Sequence, residues 1–209
     1  HTHMFNFRKP GGTTEDHMLI AVQHVQAILN AGFTAARDMA SHGNGYGDVA
    51  IRNAINEGRL DGPRYQVSTL GVVWGAKPRD PSVPVNPLAA AVVRSAEEAR
   101  AAVREQIGHG ADWIKLYPAG AYSFSPTGKD EYELTYPKPV LDAAIDETHR
   151  LGKKAGCHNY GGEGMRNAIA AGCDTIEHGF GLNRSDVDLI VSKGLFFDPT
   201  FTRYTEPYM

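Results

Sequence analysis

Cysteine is scarce in this chain: Cys157 and Cys173 are the only two in 209 residues. Two residues make no disulfide framework and no paired CxxC of the kind that holds structural zinc, so both read as small core residues, and the redox compartment stays open. Long apolar runs are also missing. The most apolar, LAAAVV at 88–93, falls far short of the roughly 20 residues a membrane helix needs. No charge of one sign collects into a block: 21 basic residues stand against 24 acidic ones, which removes the electrostatic case for nucleic acid or an anionic membrane as partner. Neither GxGxxG nor GxxxxGK[ST] follows the first strand, so a nucleotide-binding sheet has no support.

What is present is an ordinary globular composition, 42% hydrophobic and 22% charged, and a strict alternation of strand and helix signals. TTED at 13–16 offers an N-cap, and Met18, Val22, Val25 and Leu29 follow at helical spacing up to Gly32. Strands are expected at 33–38, 64–71, 112–117, 153–162, 173–181 and 195–201, with helices at 48–60, 95–110, 138–152, 162–172 and 185–194 between them. Long loops are expected at 70–93 and 118–136. Such alternation implies right-handed crossovers and a parallel sheet. With no nucleotide fingerprint, the preferred fold is a TIM-like (β/α)8 barrel forming one domain over 1–209. A full barrel takes about 250 residues, so the expectation is strands one to seven, with the eighth unit missing.

Chemistry in a barrel sits where strands end. Here the ends carry His1 and His3, then Arg37-Asp38, Ser68-Thr69, Lys115-Leu116-Tyr117, His158-Asn159-Tyr160, Glu177-His178 and Asp198-Pro199-Thr200. Alone, HTH at a terminus reads as a tag, and His158 or His178 as a half-buried histidine. Together the reading reverses, because residues i and i+2 on a strand face one way and four imidazoles then converge on one mouth. His17, His24, His109 and His149 fall on outward helices, and His42, in SHGNGYG, could approach the site, with plain loop the preferred reading. In WIKLY, alternation sends Ile114 and Leu116 toward the helices and Trp113, Lys115 and Tyr117 inward. An inward amine is costly unless paired or discharged. Snorkelling, a Schiff base and carbamylation by CO2 are the three solutions, and the last also accounts for the histidines.

These residues carry a resemblance. HTH, GFTAARDM, GPRYQVST, GADWIKLYPAG, AGCHNYGGEGMRNAIAAG and CDTIEHGFGL, in this order at barrel spacing, resemble the metal-dependent amidohydrolase barrels. The similarity is to the binuclear branch with Xaa-Pro dipeptidases, carboxypeptidases, imidazolonepropionase-like proteins and ochratoxin-hydrolysing amidohydrolases. It implies that His1 and His3 bind the more buried of two divalent metals, expected to be zinc, and that His158 and His178 bind the other. A CO2-derived carbamate on Lys115 is implied to bridge both metals. The family's sixth ligand and base, an Asp ending strand eight, and its small β-sandwich would lie outside this chain. Asp198 ends strand seven and is not assigned that post.

The activity implied is hydrolysis of an amide by a hydroxide shared between the metals, on a dipeptide or N-acyl amino acid with a free carboxylate. A cyclic amidase or lactonase on the same metals is the alternative, and a non-catalytic metal-binding barrel is the second. Lys115, His178 and Tyr160 are the expected catalytic set, while Tyr117, Tyr160 and Arg37 are candidates to touch substrate. Pairing of Arg37 with Asp38 is the preferred structural reading of that arginine, and Glu177 is expected to orient the groups behind the metals. Trp74, Tyr122, Phe124 and Tyr132 in the two long loops suit a bulky acyl group. A small-molecule amide or dipeptide is the expected partner, with a homo-oligomer as the family's expectation. The cytoplasm is the default location, any signal peptide lying upstream of His1.

Overall fold

A computed structural model of the chain describes residues 1–5, 12–75, 88–124, 127 and 130–201. The first helix, α1 (Thr14–Asn30), starts where the side chain of Thr13 accepts from the Asp16 amide and Asp16 returns a bond to the Thr13 amide. That reciprocal capping box satisfies two amides left free at the helix start. Ala21 and Val25, on its inner face, are fully buried. Then come β1 (Ala35–Asp38), α2 (Gly47–Asn56), β2 (Arg64–Val67), β3 (Gly71–Trp74), β4 (Ala90–Val93) and α3 (Ala96–Gly108). The order continues with β5 (Trp113–Leu116), β6 (Ala119–Phe124), β7 (Asp130–Leu134), α4 (Lys138–Arg150), β8 (Lys154–Asn159), α5 (Gly162–Ala171), β9 (Thr175–His178), α6 (Arg184–Ser192) and β10 (Phe196–Asp198). No helix among the described residues is long and apolar enough to cross a membrane.

The expected alternation is present: one six-stranded parallel sheet runs β10-β9-β8-β5-β3-β4, with β4 on the far side of β3, and β1 and β2 form a separate parallel pair. Thr2 bridges to Asp38 in parallel, β1 pairs with β2, and β5, β8, β9 and β10 form a continuous parallel run. Between β2 and β5 the Asp112 amide donates to the Val67 carbonyl at 2.8 Å, and the Asp112 carboxylate accepts from the Val67 amide at 3.1 Å and from Arg52 at 2.9 Å. The result is a barrel-like α/β wall with every strand pointing its carboxyl end the same way.

Two expectations about loops need correcting. The expected third strand, 64–71, ends at Val67; the chain then enters β3, which pairs with β5 at Val72–Leu116 and with β4 along its length. The stretch 70–93 is thus partly strand, and Trp74 packs against the main core rather than over the mouth. The polar stretch 118–136 folds into the antiparallel hairpin β6–β7. Both were hidden because short strands amid Gly and Pro leave little periodicity to read. The side chains of Tyr122 and Phe124 lie outside the described residues.

Alternation places the core. Ile114, Leu116, Ala155, Cys157 and Ile176 point outward from β5, β8 and β9 into Val103, Leu141, Ile145, Met165 and Ile169 of the helices, all fully buried. Each such aliphatic side chain contributes about 1.5–3 kcal/mol of burial. A second cluster of Met4, Phe5, Val25, Ile51, Tyr65 and Val67 seats α1 and α2. Cys157 and Cys173 are core residues as expected, but they meet sulfur to sulfur, with Cα atoms 6.2 Å apart, as a disulfide. The residues alternating with these must face inward, and they build the site.

Candidate metal centre

Parallel strands in chain order deliver their last residues to one rim. Five imidazoles meet there in a row: ring centroids lie 4.0 Å apart for His42 and His3, 4.8 Å for His3 and His1, 5.0 Å for His1 and His178, and 4.5 Å for His178 and His158. The four histidines expected from strand ends are therefore together. His42 is an addition: the sequence reading as plain loop is corrected, because its Nε2 stands 3.2 Å from that of His3. The signal was a histidine among glycines immediately beyond a strand end, a pattern without periodicity to place it.

Hydrogen bonds behind the row decide which ring nitrogens face inward. His1 Nδ1 lies 2.6 Å from the Glu177 carboxylate and His3 Nδ1 lies 3.2 Å from the Ala40 carbonyl. Both partners can only accept, so each Nδ1 carries a hydrogen, and in the neutral form of each ring the lone pair is on Nε2. Those two Nε2 atoms stand 3.1 Å apart. Two lone pairs facing at that distance repel unless a cation lies against them. His178 Nδ1 is 2.7 Å from Thr200 Oγ1, a hydroxyl that can donate or accept and so leaves the tautomer open. Glu177 thus orients the His1 ring from behind.

The charges agree. Burial, then the Lys115 ammonium, pushes His178 down to about 3. The same two causes, joined by His178, His3 and His42, hold His158 far below the ordinary imidazole range. His3 is also pushed down, by burial first and then Lys115, though it stands exposed at the rim, where water screens the effect. The rings are accordingly neutral, the state that ligates a metal.

Lys115 is buried with 1% of its surface exposed, and its Nζ has no hydrogen-bond partner among the described residues. It lies over the Tyr117 ring, 5.1 Å from the centroid. Burial pushes it down to about 8, with Glu177 and Asp198 opposing and Arg37 assisting. At pH 7 roughly a tenth of such an amine is neutral, against well under a thousandth for a surface lysine. Its register partner is Gly156, where a Cβ would strike the Met39 methyl and come within 3.1 Å of Thr175 and 3.2 Å of Glu177. An orphaned buried amine beside neutral imidazoles fits a carbamate and the cations it would hold. Among the described residues no group of three or more His, Cys, Asp or Glu side chains converges as a ready-made metal cage; the donors form a row.

Arg37 is not the partner of Asp38. Its guanidinium bonds Glu177 at 2.8 Å and Thr175 at 3.0 Å, and lies over Trp113 at 4.4 Å. Successive strand residues point to opposite faces, so Arg37 belongs to a layer behind the imidazoles. Asp198 stands in that layer too, 3.7 Å from Arg37. Asp38 instead accepts from the Tyr65 hydroxyl and the Met4 amide, and burial pushes it up to about 7. A cavity of about 760 Å³ opens behind this layer, lined by Arg37, Trp113, Thr175 and Phe196 toward the strand starts and reaching His1.

The tyrosines are at the rim. Tyr160 meets His158 edge-on at 4.6 Å and stacks on His178 at 5.9 Å, while Tyr117 lies 5.3 Å from His158. The Tyr132 ring of the β6–β7 hairpin covers the backbone of Gly161, Gly162 and Gly181 beyond β8 and β9, so that loop aromatic does reach the mouth.

Comparison with known proteins fits this geometry. The chain is 29% identical over 192 residues to the ochratoxinase of Aspergillus niger, covering 82% of this chain and 38% of that one. A Xaa-Pro dipeptidase with methionine bound in its active site superposes with a TM-score of 0.78 at 29% identity, over 95% of this chain and 50% of that one. A prolidase complexed with N-methylphosphonate-L-proline gives 0.79 at 27% identity, over 96% and 51%. The chain spans about half the length of these structures and less of the ochratoxinase. The model of the amidohydrolase family matches residues 1–206, and the chain belongs to that family.

Proposed function

We propose that this chain carries the metal centre of an amide hydrolase acting on a dipeptide or an N-acyl amino acid with a free carboxylate. The observation that carries the reading is Lys115, a buried amine without a hydrogen-bond partner among the described residues, beside a row of imidazoles whose His1 and His3 Nε2 atoms stand 3.1 Å apart. His1 and His3 would hold one divalent metal and His158 and His178 a second, with the Lys115 carbamate between them; imidazole and carbamate oxygen suit zinc. When bound, the metals polarise the scissile carbonyl and make water acidic enough to react near neutral pH.

The chain's own residues do the rest. Glu177 fixes the tautomer of His1, the Ala40 carbonyl that of His3, and Arg37 neutralises Glu177 from behind. Tyr160, on the rings of His158 and His178, is placed to hold an acyl oxygen or a substrate carboxylate, and Tyr132 walls the mouth. The names of the Xaa-Pro dipeptidase and the ochratoxinase support peptides and bulky amides as the substrate class.

The test is a panel of dipeptides, N-acyl amino acids, imidazolones and lactones offered to the metal-loaded protein, beside Lys115→Ala. Hydrolysis of the first two groups, lost in the variant together with metal, is the expected result. Turnover confined to lactones or imidazolones overturns the substrate class, and purified protein that takes up no metal overturns the centre.

A further inference from the structure

The end of β10, Asp198-Pro199-Thr200, supplies none of the expected ligands, yet it touches the row of imidazoles. Thr200 Oγ1 stands 2.7 Å from His178 Nδ1. A turn aims the hydroxyl: the Thr200 amide donates to Asp198 Oδ1 at 3.2 Å, and the other oxygen of that carboxylate faces Arg37 at 3.7 Å. The backbone is left-handed at both partners, His178 with φ 75° and Thr200 with φ 45°. For a β-branched residue that is an outlier, and it persists only where the surroundings enforce it. Close packing of β10 on the end of β9 is one such constraint, since a Cβ on Gly179 would strike the Phe197 ring at 2.5 Å.

Behind His1 and His3 stand groups that can only accept, the Glu177 carboxylate and the Ala40 carbonyl. A threonine hydroxyl can take either part, so this bond admits two tautomers of His178. In one, Nδ1 donates to Thr200 Oγ1 and Nε2 keeps the lone pair. In the other, Oγ1 donates and Nε2 carries the hydrogen, which is the form a free neutral histidine favours in water. Thr200 covers Nδ1, so only the first tautomer leaves a lone pair that a metal could take, and the bond made by one ring nitrogen decides the state of the other.

We propose that Thr200 is a positioning residue: its hydroxyl accepts from His178 Nδ1 and holds that ring in the tautomer whose lone pair lies on Nε2. The inference rests on the metal-centre reading above. It gives the end of β10 a task, in which Asp198 sets the turn and Thr200 sets the ring. The rival role is structural, a hydroxyl that ties β10 to β9 without choosing a tautomer.

The test compares wild type, Thr200→Val and Thr200→Ser by two readouts. Valine keeps the branch at Cβ, and with it the backbone demand at this position, while removing the hydroxyl; serine restores the hydroxyl. The first readout is the ring 15N spectrum of the metal-free protein at pH 7, with His178→Asn identifying the His178 signals. Wild type and Thr200→Ser should carry the hydrogen on Nδ1, and Thr200→Val should move it largely to Nε2. The second is titration of the metal-free protein with Zn2+. Affinity for one of two ions should fall about 10–100-fold in Thr200→Val, the range seen when a partner behind a ligating histidine is removed, and Thr200→Ser should stay within a few fold of wild type. A wild-type ring with its hydrogen on Nε2, or an unchanged tautomer and affinity in Thr200→Val, overturns the proposal while leaving the metal centre standing. Equal weakening of both ions overturns it too, because that marks a general loosening of the rim. Wild-type protein that takes up no Zn2+ although the tautomer responds to Thr200 overturns the centre itself.

Discussion

Replacing Glu177 by glutamine changes almost no volume and removes one charge from the layer behind the metal centre. The carboxylate is fully buried and serves three donors at once: His1 Nδ1 at 2.6 Å, the Arg37 guanidinium at 2.8 Å and Thr175 Oγ1 at 2.5 Å. Glutamine keeps one accepting oxygen and brings two N–H groups toward groups that are themselves donors. Arg37, with 14% of its side chain exposed, then has Asp198 at 3.7 Å as its remaining carboxylate, itself 32% exposed. Breaking a fully buried pair costs about 3–5 kcal/mol; with Asp198 partly compensating, a loss of about 2–4 kcal/mol is expected in the metal-free protein. Independently, His1 loses the acceptor that keeps its lone pair on Nε2, which predicts a fall in metal affinity of about 10–100-fold.

Urea unfolding of the metal-free protein measures the first effect and Zn2+ competition with a chelator measures the second, on one preparation. Asp142→Asn is the comparator. It breaks an exposed i,i+4 pair with Lys138 at 2.7 Å and should change stability by under about 0.5 kcal/mol. If Glu177→Gln costs no more than Asp142→Asn, the Arg37–Glu177 pair is not desolvated in solution and the layered reading is wrong. If stability falls but Zn2+ affinity does not, Glu177 supports the wall without orienting His1.

Acid should act unequally on wild type and His178→Asn. Unfolded, the His178 ring protonates near its ordinary 6.5, whereas folded it resists to about 3; the unfolded state binds more protons as pH falls through 6.5, so the His178 contribution is lost on acidification. Between pH 7.5 and 5.5 that is about 1.4 kcal/mol. The metal-free variant should gain that much relative to wild type, and a gap that stays constant with pH would refute the shift; taking the difference removes the opposite slope of Asp38 and Asp48, both raised to about 7 by burial. The Cys157–Cys173 pair spans a separation of 16, for which chain entropy predicts about 3 kcal/mol. Equal urea midpoints with and without reductant, in protein verified as oxidised and reduced, would contradict it.

The site was legible in the sequence where chemistry and periodicity coincide, and obscure where only one was available. Ile114 and Leu116 are apolar neighbours of Lys115 at alternate positions, so once they face the helices the lysine must face inward, and the structure buries it there. The same rule, applied one step further, excludes the pairing of Arg37 with Asp38, since neighbours on a strand point to opposite faces; adjacency in sequence was the wrong guide. Glu177 was found because it neighbours His178, and its actual partner, His1, lies 176 positions away.

The cysteines show a different obstacle. They are 16 residues apart because α5 intervenes, and only the return of the chain to the neighbouring parallel strand brings Cys157 and Cys173 together. His42 is the hardest case. Its position depends on the carbonyls of Thr69 and Leu88, residues from two other segments, so no local rule could place it. Parallel order nevertheless makes its arrival intelligible. Every strand in the wall surrenders its chain at the same rim, and a short turn tied down beside β1 has no other set of side chains to meet than those of the strand ends on either side. A loop residue next to a strand end in such a wall is therefore a site candidate on topology alone, and His42, beyond β1 and 3.2 Å from His3, is one.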